Sequence, residues 1–218
     1  MLSSTRWSIV HAARQGDLAA LTRLCEKYRP AIVGYLRRRG VEADAEDLAQ
    51  EALLALVEYL PRLEQSAGRF RSLVFAVSRN KLMAHRARAG AMKRGGNLAR
   101  AALSPDELAS ETPDDLFDME WIGSLLHRAL GRLEEKHPSL YGALQGTVLT
   151  GKPQAEAARG EGISAGAMRK RVWRARQQIA LYLRDEISVY GASREDVATE
   201  VSFLARLLGP ELRADEEP

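Results

Sequence analysis

The stretch Pro153–Leu183 reads PQAEAARGEGISAGAMRKRVWRARQQIALYL, and its punctuation decides the fold. Pro153 opens a short helix to Arg159, Gly160 to Gly162 make a turn, and Ile163 with Ser164 leads into a long helix ending near Leu183. Two helices joined by a short glycine turn are the grammar of a helix-turn-helix. In the second helix Met168, Val172, Ala175, Ile179 and Leu183 recur every three or four residues, which gives one packing face. Arg169, Lys170, Arg171, Arg174 and Arg176 are left around the other faces, where they can meet phosphates. Ser164 is placed to cap this helix, and the small first turn of Ala165, Gly166 and Ala167 lets the backbone press closely into a major groove. The same spacing also describes an ordinary helical hairpin with a basic solvent-facing side.

Outward from this stretch the whole chain of 218 residues reads as all-α. Ala, Leu, Arg and Glu dominate, strand-like alternation is nearly absent, and apolar residues recur at helical spacing. A first helix, about Ser4 to Arg14, ends at Gly16, and Asp17 caps a second that runs to about Arg39. Gly40 supplies a left-handed stop. Asp44 then caps a third helix carrying Leu48, Leu53, Leu56, Val57 and Leu60, closed by Pro61. A fourth, about Arg69 to Ala89, shows Phe70, Leu73, Val74 and Val77 on one side and ends before the turn Lys93-Arg94-Gly95-Gly96. Beyond Asp118 a helix from near Met119 to Lys136 breaks at Pro138, resumes through Tyr141, Leu144 and Val148, and breaks again at Gly151.

The net charge of +3 hides a segregation. Residues 1–95 carry 17 Lys and Arg against 9 Asp and Glu, and residues 119–184 carry 11 against 5. Residues 96–118 carry 1 against 6, and residues 185–218 carry 3 against 9. Basic modules thus alternate with acidic connectors, and basic modules suit a polyanionic partner. The acidic stretch 96–118, with Pro105 and Pro113 and no sustained apolar stripe, reads as a linker. The expected architecture is two small helical domains, residues 1–95 and 119–184, joined by that linker, with an acidic extension over 185–218. In the extension, Ser193 to Leu208 places Val197, Val201, Leu204 and Leu208 on one stripe of an amphipathic helix.

Several function classes recede on the same reading. No apolar run approaches the roughly 20 residues that span a bilayer, and Met1 to Arg14 lacks a secretion-signal core, so the expected location is cytoplasmic. The single cysteine, Cys25, sits among Leu21, Leu24 and Tyr28 at helical spacing and reads as a reduced packing residue. The histidines at 11, 85, 127 and 137 are scattered and receive no chemistry. Asp44, Glu46, Asp47 and Glu51 offer a carboxylate cluster of the kind a metal-dependent hydrolase uses. No histidine accompanies it at ligand spacing, and acids in a first helical turn are favoured by the helix dipole alone. No metal or cofactor is expected.

Glu156-Ala157-Ala158, Gly162-Ile163-Ser164 and Arg171-Val172-Trp173-Arg174-Ala175-Arg176 together resemble the promoter-reading domain of the extracytoplasmic-function (ECF) sigma factors of bacterial RNA polymerase. The first half resembles the other domain of that family through Asp44-Ala45-Glu46-Asp47-Leu48 with Gln50-Glu51, and through Phe70-Arg71-Ser72-Leu73 running to Ser78-Arg79-Asn80. The resemblance covers about residues 7–91 and 119–184. Leu73 stands where the family often has Trp, and Ala167 replaces the usual Thr, so promoter sequence does not carry over.

The resemblance implies a non-enzymatic protein with core RNA polymerase and promoter DNA as partners, and an anti-sigma factor or other regulator as a further one. It assigns Asp44, Glu46, Asp47, Gln50 and Glu51 to polymerase docking, and Arg71, Arg79, Asn80, Lys81 and Arg86 to the promoter segment that melts. Ser164, Ala165, Gly166, Arg169, Lys170, Arg171, Arg174 and Arg176 fall to the helix-turn-helix contact with DNA. The loop from Pro61 to Gly68, with Leu63, Glu64, Gln65 and Ser66, is placed to touch a splayed base, although it carries no aromatic residue. A conventional helix-turn-helix regulator is the rival expectation. It would need no acidic docking helix.

Overall fold

The computed structural model describes residues 8–62, 70–92 and 113–188, and their regular structure is entirely helical. Two compact units divide the chain, one reaching to Ser124 and the other beginning at Leu125. Among the described residues no helix is long and apolar enough to cross a membrane. The loop residues 63–68, the Lys93–Gly96 turn, most of the acidic linker and the amphipathic stripe of the extension lie outside the described residues.

In the first unit, α1 (Ser8–Arg14) and α2 (Leu18–Arg38) are separated by Gly16, whose φ of 84° lies where a side chain would be strained. Asp17 caps α2 as expected, its Oδ1 accepting from the backbone N–H of Ala19 at 2.8 Å and of Ala20 at 3.1 Å. Gly40, at φ 83°, turns the chain toward α3 (Ala45–Tyr59). Here one expectation is corrected. Asp44 occupies the cap position of α3 but makes no capping hydrogen bond, because its backbone (φ −98°, ψ 7°) is not extended. Its carboxylate sits instead 3.5 Å from His85 Nε2. Pro61 does not end the helix abruptly, since Leu60–Arg62 continues it as a 3₁₀ turn.

The helix α4 (Phe70–Met92) departs from simple amphipathicity. Every residue from Phe70 to Ser78 is buried, whereas most from Met83 to Ala89 are exposed. Its first half is therefore a core helix surrounded on all sides. The surrounding residues include Tyr28, Ile32, Tyr35 and Leu36 of α2 and Leu48, Ala52 and Leu56 of α3, all buried. Each such large apolar side chain contributes roughly 1.5–3 kcal/mol by leaving water.

The remaining cover comes from α5 (Asp115–Lys136), which begins four residues before the expected start at Met119. Asp114 Oδ1 accepts from the N–H of Phe117 at 2.9 Å and so starts the helix. Phe117 is fully buried, edge-on to Tyr35 and Phe75 at centroid distances of 5.6 and 5.5 Å. The last residues of the acidic stretch are thus ordered helix in the core of the first unit, and the division between units falls inside α5.

In the second unit the rest of α5 buries Leu125, Ala129 and Leu133. It is followed by α6 (Pro138–Leu144), a π-helical turn at Gln145–Leu149, α7 (Gln154–Gly160) and α8 (Ala165–Ser188). Ala143, Ala158, Met168 and Val172 form a buried cluster, with Ala157 and Ile163 packed against it, which sets α8 against α7. The helix α8 extends past the expected end at Leu183. Asp185 and Glu186 in its added turn are held by Arg132 and Arg128, with Arg128 Nε donating to Glu186 Oε2 at 3.0 Å.

Candidate nucleic-acid and partner-binding surfaces

The helix α8 has a buried face and an exposed one. Met168, Val172, Ala175, Ile179 and Leu183 are all buried, as their spacing implies. Ser164, Ala165, Gly166, Arg169, Lys170 and Arg174 are exposed together at the beginning of the helix. Ser164 Oγ accepts from the N–H of Ala167 at 3.1 Å, which leaves the neighbouring first-turn donors for an anion. Gly162, at φ 67°, closes the turn, and the N–H of Ile163 reaches the carbonyl of Ala158 at 3.0 Å. Arg171 is half-exposed and paired at 2.7 Å with Glu161 of the turn. Arg176 is half-buried and already partnered.

On α3 the structure splits the expected docking set. Asp47 and Gln50 are exposed and Glu51 is half-exposed, on one stripe. Leu54, 59% exposed, and Glu58 continue that stripe at helical spacing. Sequence reasoning missed both, because a leucine in a helix is first assigned to the core. Glu46 points elsewhere, with Arg29 at 2.6 Å and Arg37 at 3.2 Å. Asp44 faces His85. Asp44, Glu46 and Glu51 face different basic side chains and Asp47 is exposed, and among the described residues no three metal-ligating side chains gather.

On α4, Arg79 lies over the Phe75 ring at 5.6 Å and Asn80 is half-buried. Lys81 and Arg88 both approach Glu51 Oε2, at 3.6 and 3.8 Å, so one carboxylate of α3 balances two cations of α4. Arg86 is exposed and donates to the carbonyl of Arg39.

Arg71, expected to meet the DNA segment that melts, is 4% exposed in the structure, ion-paired with Asp118 and stacked on Trp121 at 4.9 Å. The physical reason is the arrival of α5 over this face. The same segment pairs Asp114 with Arg39 and Glu120 with Arg38. Burial opposes the charge on Arg39, but hydrogen bonding to Asp114 and its negative charge hold the guanidinium above its usual range. Burial first, and then Asp114, push the Tyr35 phenol up. Arg38 and Arg39 went unassigned in the sequence. The signal was the run Arg37-Arg38-Arg39 just before Gly40, where cations also complement a helix C-terminus.

A short helix, a glycine turn and a long helix with a basic leading face follow an all-helical unit with an acidic stripe. The ECF sigma factor family model matches residues 7–185, and the chain belongs to that family. It is similar to the ECF RNA polymerase sigma factor ShbA of Streptomyces griseus, at 35% identity over 114 residues, 50% of this chain and 56% of that protein. It is also similar to the ECF RNA polymerase sigma factor SigD of Mycobacterium bovis and of Mycobacterium tuberculosis, at 35% over 88 residues, 37% of this chain and 41% of each. The chain thus spans about half the length of these relatives or less.

Proposed function

We propose that this chain binds core RNA polymerase and directs it to promoter DNA, performing no bond chemistry of its own. One observation carries the reading. The exposed face of α8 gathers Ser164, Arg169, Lys170 and Arg174 above a fully packed stripe, which is the division a major-groove helix requires. On this reading the stripe Asp47, Gln50, Glu51, Leu54 and Glu58 docks on the polymerase, its apolar centre rimmed by acids. The exposed half of α4, with Arg86 and Arg88, tracks the strand that opens.

Run-off transcription with purified core polymerase tests this. The chain should produce discrete transcripts that core alone does not, and Gln50→Lys with Glu51→Lys should abolish them while leaving the helical circular dichroism unchanged. DNA binding with no association to core would instead identify a conventional regulator.

A further inference from the structure

Deepening that reading, we propose that Arg38, Arg39 and Arg71 form a binding face for a DNA phosphate backbone, and that the chain's own segment 114–121 occupies it as an acidic stand-in. Three separate guanidinium groups, two from the end of α2 and its cap and one from α4, each meet a carboxylate of this one segment: Arg39 with Asp114, Arg71 with Asp118, and Arg38 with Glu120. A guanidinium recognises a carboxylate and a phosphate by the same fork of N–H donors. The face therefore has the chemistry of a phosphate track, and its present occupant supplies the negative charges.

Two features mark the seat of the occupant, which is held there by Phe117 in the core as well as by the ion pairs. Gly34 lies inside α2, where glycine weakens a helix, and a methyl group there would fall 2.7 Å from Glu120 Cδ. The end of the Glu120 side chain thus lies directly over this glycine. Trp121 is 2% exposed, but its indole Nε1 is buried with no hydrogen-bond partner, so part of what burial gains is offset. DNA and segment then compete for the same arginines, and the apparent affinity for DNA is reduced by the fraction of molecules in which the segment is docked.

The test uses the full chain and a short single-stranded DNA oligonucleotide. Asp114→Asn, Asp118→Asn and Glu120→Gln together should raise affinity on the order of five- to tenfold at low salt, a range usual for coupled sites. The gain should shrink as salt screens the internal pairs, and adding Arg38→Ala and Arg39→Ala should remove it. Neutralising the exposed Glu42, Glu134 and Glu135 changes net charge equally and should give much less. In a Trp7→Phe, Trp173→Phe background, saturating oligonucleotide should also expose Trp121 to acrylamide quenching, a readout that survives if the neutralised variant folds poorly. Trp121 shielded at saturation, or an equal gain in the charge control, overturns the proposal. Neither result bears on core-dependent transcription, so the sigma reading stands or falls separately.

Discussion

Arg71 holds its charge at 4% exposure because Asp118 pairs with it and the Trp121 ring covers it. Removing one partner of such a pair strands the other in a poor solvent. Arg71→Ala should therefore cost on the order of 3 kcal/mol, read as a lower urea midpoint, while Arg71→Met with Asp118→Leu should recover much of the loss. Leu54→Lys is the opposite kind of change. At 59% exposure it should leave stability within about 0.5 kcal/mol and weaken only association with core polymerase. Neither placement was legible from residue type. Arginine in a basic helix reads as solvent-facing, and leucine reads as core, until the neighbours of each helix face are known.

At the scale of the element, local rules succeeded where they needed only local partners. Asp17 caps α2 and Ser164 caps α8 because each side chain reaches backbone two or three residues on. Ser164→Ala should lower thermal stability by about 1 kcal/mol, and calorimetry of the second transition would show it. Local rules failed where a distant segment intervened. Asp44 turned to His85, and α8 gained a turn through Arg128 and Arg132. The all-round burial of α4 was illegible too, since part of its cover, Phe117 on Phe75 and Trp121 on Arg71, comes from α5, which lies beyond a connector whose charge disguised its last residues as tether. The packing stripe of α8 was fully legible, because one periodicity and one partner surface determine it.

For the molecule as a whole, charge alternation leads to the expectation of two helical domains, residues 1–95 and 119–184, with a linker ending at Asp118. Phe117 lies in the first unit's core with Tyr35 and Phe75. Phe117→Ala should thus destabilise that unit by about 3–5 kcal/mol. The second unit, whose buried clusters do not include Phe117, should melt nearly as before. Domain-resolved hydrogen exchange would separate the two responses. The helices over 154–160 and 165–188 and the turn between them were readable because they are contiguous; the pairings of Arg38, Arg39 and Arg71 were not, because their partners lie at least 47 residues away.

Cys25 lines a small apolar cavity with Leu24, Tyr28, Leu56 and Phe70, and burial, then Glu26, push its thiol pKa up. It is the chain's single cysteine. Folding therefore favours the protonated thiol, and this contribution is complete below the unfolded pKa of about 8.5 and fades as pH rises through the higher folded value. Alkylation requires the thiolate, so the native protein at neutral pH should react more slowly than the chain in urea. The ratio of the two rates then measures how far folding shields this half-buried thiol, without any added label.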